Sequence, residues 1–238
     1  MRAHRSIRKF KDKAIPDEML ETILTAAQCA ATSNFVQAYT IIRVEDQQNR
    51  KVIASLSGDQ QWIINAPVFL VFLADLNRLE TACQKHAKEM TQGYMEQFIV
   101  ATVDTALIAQ NTLLAAESLG LGGVFIGAIR NNPKKICDML NIPENAYPVF
   151  GMCLGYPDDL PPVKPRLPLE GFFRKDTYRA DGGHAVLAAY DETTSKYYLS
   201  RDSNLKDETW SAQMAGFMSK VIRPHMKAFI ESKGFCIR

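Results

Sequence analysis

No two of the five cysteines form a C-x-x-C pair, and Cys29, Cys83, Cys137, Cys153 and Cys236 are odd in number and widely spaced. That pattern argues against a disulfide framework or a zinc site and sets a reducing, cytoplasmic location as the expectation. An excess of one charge is also missing: 28 Lys+Arg against 26 Asp+Glu leaves a net charge of +2. Bulk charge therefore points to neither nucleic acid nor a membrane surface, and any bound anion must be held locally. The basic opening at residues 2–13 has no apolar run behind it, so no secretory signal is expected. The uncharged, strongly apolar stretch 60–74 contains Pro67 and is too short to span a bilayer. Hydrolase signatures are missing as well. There is no G-x-S-x-G elbow and no H-E-x-x-H, and the four histidines (His4, His86, His184, His225) lack metal-ligand spacing.

What is there suits a globular core: 238 residues, 47% hydrophobic and 23% charged, with no repeat or low-complexity tract. The expectation is a single domain, 1–238, with a C-terminal elaboration from about 167. Pro16, Asp17 and Glu18, followed by Met19, Leu20, Ile23, Leu24 and Ala27, predict a capped amphipathic helix to about Ala31. Residues 38–44 and 68–74 read as strands, the second apolar on both faces as a central strand requires. Between Tyr94 and Leu119 apolar residues occupy every face and Gly120 supplies a stop, which predicts a long buried helix of about 39 Å. Two further short strands, 122–129 and 149–154, flank a helix opening at Asn132 and Pro133. A last amphipathic helix is predicted at about 210–231, interrupted near Pro224.

Three stretches could carry chemistry. His4, Arg5, Ser6 and Arg8 place two guanidiniums, a hydroxyl and an imidazole within five residues, a donor set that suits a phosphate; a solvated basic terminus is the plain alternative. Lys164 and Arg166 flank Pro165, so two cations project from a stiff loop, which is a surface loop if nothing binds there. The glycines of L-G-L-G-G-V-F-I-G-A-I-R-N-N at 119–132 follow a helix and precede a strand, the reverse of a dinucleotide fingerprint, so a Rossmann site is rejected. Gly127 either admits a flat ligand to the backbone or eases packing.

Taken in order, H-R-S-I-R at 4–8, A-T-S-N-F at 31–35, Gln60, the glycine run, L-G-Y-P at 154–157 and K-P-R-L-P at 164–168 resemble the flavin-dependent nitroreductase family, in its NADPH-dependent branch. The resemblance covers nearly the whole chain. It implies an α+β nitroreductase-like fold with a mostly antiparallel sheet flanked by helices, a homodimer, and FMN bound at interfacial sites. Carried over, His4, Arg5, Ser6 and Arg8 embrace the phosphate and ribityl end with Lys164 and Arg166. Gln60 bonds the isoalloxazine edge, and the backbone of Phe125, Ile126 and Gly127 runs along the ring. Thr32, Ser33 and Asn34 reach the flavin bound mainly by the other subunit. Arg201, Lys206 and Arg223 read NADPH or substrate. The implied activity is NADPH-dependent reduction of nitroaromatics and quinones through the flavin, with no protein acid or base and no metal. The alternatives are supply of reduced flavin to another enzyme and a non-catalytic flavin-binding module.

Overall fold

The computed structural model describes residues 1–178, 183–201 and 208–238. They fall into two compact units, one of Met1–Leu160 with Arg223–Arg238 and one of Pro161–Ile222.

The first unit is organised around β2 (Val68–Asp75), the strand expected to be central. The sheet order is β1 (Tyr39–Arg43), β2, β4 (Ala146–Gly155) and β3 (Gly122–Ile126), antiparallel throughout, with an irregularity between Phe72 and Leu73. Successive residues of a strand point to opposite faces, and β2 divides accordingly. Phe69, Val71 and Leu73 enter a core with Ile53, Ile63, Ile129 and Ile136; Val68, Leu70 and Phe72 enter a second with Leu20, Ile23, Ile108 and Leu113. Complete burial of each such side chain is worth about 1.5–3 kcal/mol. One face is therefore covered by α1 (Asp17–Ala27) and α5 (Met95–Ser118), the other by α2 (Gln47–Leu56), α3 (Trp62–Asn65) and α6 (Pro133–Leu140). A further helix, α4 (Asn77–Lys85), follows β2.

The predicted long helix exists, but it is not buried on every face. Ala101, Asp104, Thr105, Ile108, Ala109, Thr112, Leu113 and Ala116 are buried, whereas Ile99, Val103 and Leu107 remain 47%, 48% and 42% exposed. These three are spaced four residues apart and form one stripe. By length and composition α5 alone among the described helices could cross a membrane. It is instead built into the sheet face: the fully buried Asp104 carboxylate accepts the backbone N–H groups of Ser33 (3.0 Å) and Ala38 (3.1 Å). Gly120, at φ +80°, ends the helix in the left-handed region as expected.

The second unit contains α7 (His184–Leu199) and α8 (Trp210–Met218). No expectation fell on α7, whose apolar residues are spread around the helix without a clear face. Asp191 joins the pair by accepting the Ser211 N–H at 2.8 Å, and Tyr190 packs edge-on to Trp210. The single interrupted helix predicted at 210–231 is corrected to two: α8, and α9 (Met226–Ser232), which belongs to the first unit. Arg223 takes φ +50° immediately before Pro224, so the chain turns there instead of kinking within one helix.

Candidate active site

The basic N-terminal segment is fastened to the sheet. Ser6 bridges Gly123 in parallel, the Ile7 N–H donates to Gly123 O at 3.0 Å, and Phe10 bridges Pro157. This docking explains Gly122 in the 119–132 run. A Cβ at Gly122 would lie 2.4 Å from Ile7 Cγ1, so any larger residue would push the segment off the edge of β3. Ile7 is buried, and Arg5, Ser6 and Arg8 are carried on the backbone it anchors.

His4 and Arg8 are held differently. His4 Nδ1 lies 2.5 Å from Glu117 Oε1 near the end of α5. The Arg8 guanidinium stacks over the Trp62 ring, 5.7 Å from its centroid. Trp62 opens α3 two residues after Gln60, whose carbonyl accepts the Ile63 N–H at 3.0 Å. Gly58 (φ +78°) and Asp59 (φ +57°) make the tight turn that presents Gln60. The structure thus gathers Ser6, Arg8, Gln60 and the start of β3.

Farther along β3, Phe125 is half-buried and meets Phe150 edge-on at 5.0 Å, while the Ile126 side chain is in the core, so only its backbone is available to a ligand. Gly127 lies over Arg130: a Cβ there would stand 3.3 Å from Arg130 Nη2. Burial, and then the nearby Arg223 charge, pull the Arg130 pKa below its usual value. Arg223 donates from Nε to Asn131 Oδ1 at 2.8 Å, which brings this predicted residue close to Gly127.

Thr32, Ser33 and Asn34 are on and beside the 3-10 turn Ser33–Phe35, tied to α5 through Asp104. Asn34 (φ 46°) and Phe35 (φ 60°) both occupy the left-handed region, and Phe35 is exposed. Such strain costs about 1 kcal/mol or more at a bulky residue and concentrates where ligands are handled. In the second unit the Lys164 ammonium is 5.4 Å from the Tyr198 ring, and Tyr190 Oη donates to Pro165 O at 3.0 Å, so the K-P-R loop is pinned to α7. Burial raises the Tyr190 pKa, partly offset by the Arg166 charge. Arg201 stacks over Tyr197 at 5.8 Å. Lys206 lies outside the described residues.

The donors fit an FMN phosphate: guanidiniums and a hydroxyl on one anchored backbone are what a dianionic group needs. Buried polar atoms without a partner among the described residues strengthen the fit. They are Thr32 Oγ1, in one of the expected flavin-binding residues, and Ser57 Oγ and Trp62 Nε1, within three residues of Gln60 in the chain. Sequence reasoning missed Trp62 and Glu117, because nothing local marks either as a partner of a residue far away in the chain.

Comparison with known proteins decides the family. The family model "Nitroreductase family" matches residues 1–156 and "Nitroreductase family, C-terminal domain" matches 164–238. The chain belongs to the nitroreductase family. The chain is 40% identical to an oxygen-insensitive NADPH nitroreductase of Salmonella typhimurium, over 99% of this chain and 96% of that protein. It is similar in structure to a nitroreductase from B. subtilis, with TM-score 0.94, 37% identity and coverage of 99% and 97%. An NADPH:FMN oxidoreductase from Vibrio harveyi, solved with NAD+, gives TM-score 0.91 at 38% identity, covering 100% of this chain and 97% of that one. The α+β fold expected from the resemblance is therefore the fold observed.

Proposed function

We propose that this nitroreductase is an FMN-dependent NADPH oxidoreductase that reduces nitroaromatic compounds and quinones, working as a homodimer in the cytoplasm with 1–238 as one functional unit. One observation carries the reading: Arg5, Ser6 and Arg8 are fixed on the edge of β3 beside the turn bearing Gln60, in a chain of this family. When bound, FMN supplies the relay of two electrons from NADPH to the acceptor. The protein's own part is to bind and orient.

Arg5, Ser6 and Arg8, with His4, Lys164 and Arg166, hold the phosphate through charge-assisted bonds. Gln60 donates to the edge of the ring, and the half-buried Phe125, the Ile126 backbone and Gly127 lie along it. Arg130, beneath Gly127, would add a fixed positive charge on that side of a bound ring. Thr32, Ser33 and Asn34 serve the site of the second copy. The exposed stripe Ile99, Val103 and Leu107 on α5 supports the dimer, since burying it requires a partner of like character. Arg201 and Arg223, with Lys206, read the 2′-phosphate of NADPH or the acceptor.

The test is the visible spectrum of the purified protein before and after anaerobic NADPH. A yellow protein that releases FMN on denaturation and bleaches with NADPH supports the reading. A colourless protein that takes up no FMN overturns it. Addition of a nitroaromatic or a quinone to the bleached protein should restore the colour; free flavin acting as the only acceptor would favour the flavin-reductase alternative.

A further inference from the structure

We infer that Trp62 is a positioning residue for the flavin phosphate, acting as the platform on which the Arg8 guanidinium is held beside the turn that carries Gln60. The inference rests on the FMN site proposed above and assigns a role to a residue outside the phosphate-binding set. Arg8 is exposed, and no carboxylate pairs with it among the described residues; its guanidinium instead lies 5.7 Å from the centroid of the Trp62 ring. An arginine on an open surface has large rotamer freedom, and losing that freedom on binding weakens the grip on an anion. A guanidinium already laid on an aromatic face loses less, and it keeps its in-plane N–H donors directed outward for phosphate oxygens.

The platform is itself rigid. Trp62 is the first residue of α3; its carbonyl accepts the Ala66 N–H at 3.0 Å, and its neighbour Ile63 is completely buried. Its indole Nε1 is buried without a partner among the described residues, so the polar atom of the ring gains nothing from the surrounding protein. Gln60 is two residues earlier on the same turn. One ring therefore fixes the spacing between a cation for the phosphate end of a flavin and an amide for its ring edge. Indole offers the strongest cation-binding face of the aromatic side chains, phenyl a weaker one and an aliphatic side chain none.

The experiment is a double-mutant cycle read by the FMN dissociation constant, obtained by diluting the purified full-length protein and following the recovery of flavin fluorescence. Trp62→Leu should raise the constant about two- to fivefold, whereas Trp62→Phe, which keeps a face, should raise it less. In an Arg8→Ala background Trp62→Leu should have almost no further effect, because a platform with nothing on it has no role. Far-UV circular dichroism of each variant confirms folding. Equal losses from Trp62→Leu with and without Arg8 would overturn the inference and make Trp62 a packing residue. A parent that binds FMN while Arg8→Ala binds it equally well would also overturn it, yet leave the FMN reading standing. A parent that binds no FMN would remove both.

Discussion

His4 Nδ1 and Glu117 Oε1 stand 2.5 Å apart, joining the fourth residue of the chain to the last turn of α5. The contact is partly buried, and together with the Ser6–Gly123 bridge it determines where the basic segment lies. Glu117→Ala should cost about 1 kcal/mol of stability, as expected of a pair of this exposure. It should also weaken FMN binding, because Arg5 and Ser6 follow His4 directly. Urea denaturation and flavin titration read the two effects separately; unchanged FMN affinity would show that the segment keeps its place without Glu117.

The stripe on α5 predicts the behaviour of a charge placed within it. Val103 is half-exposed between Ile99 and Leu107. Val103→Glu should convert a dimer into a monomer in sedimentation velocity, since an unpaired carboxylate in an apolar interface is costly to desolvate. Loss of flavin should accompany dissociation if Thr32, Ser33 and Asn34 serve the opposite site. A variant that remains dimeric would place the interface elsewhere.

Preference for NADPH over NADH must come from a cation near the 2′-phosphate, the substantial difference between the two donors. Arg201, held over Tyr197, is one of the described residues proposed for this. Arg201→Ala should lower kcat/KM for NADPH about ten- to a hundredfold, or about 1.4–2.7 kcal/mol, with NADH nearly unaffected. Equal loss with both donors would assign Arg201 to folding or to general nicotinamide binding.

Alkaline pH should destabilise the protein through buried groups, Cys137 and Tyr147 among them. Burial pushes the Cys137 thiol up to about 11 and the Tyr147 hydroxyl up to about 12, from ordinary values of 9.0 and 10.0. Each pKa is raised in the folded state, so the folded chain retains a proton that the unfolded chain releases. The stabilisation is complete below the ordinary value and is lost as pH rises through the raised one. Thermal midpoints should therefore be level to about pH 9 and fall above it. Tyr147→Phe should flatten the part of the decline above about pH 10, at the cost of the hydroxyl contact with Thr102. A decline of unchanged steepness would assign the effect to other groups.

Much of the frame is written locally. The unbroken apolar run 68–74 reads as a strand buried on both faces, and it became the strand whose alternate residues feed two cores. Gly120 ended α5 because only glycine takes φ +80° without strain, and Pro133 opened α6 because its fixed φ suits a first helical position. The donors of residues 4–8 and the lysine and arginine about Pro165 were legible because their chemistry is carried by residue type. The tertiary structure decided which distant groups those residues meet. Apolar residues on every side of 94–119 do not say which side a subunit covers, and only packing left Ile99, Val103 and Leu107 outside. Gly122 gave no sign that it makes room for Ile7, and α7 showed no clear apolar face. His4 and Glu117 are 113 residues apart, and Arg8 meets Trp62 only once the N-terminal segment has docked on β3. Periodicity and propensity act over a few residues, so they fix elements; contacts between distant residues arise from the closing of the whole chain, and in this protein those contacts arrange the site.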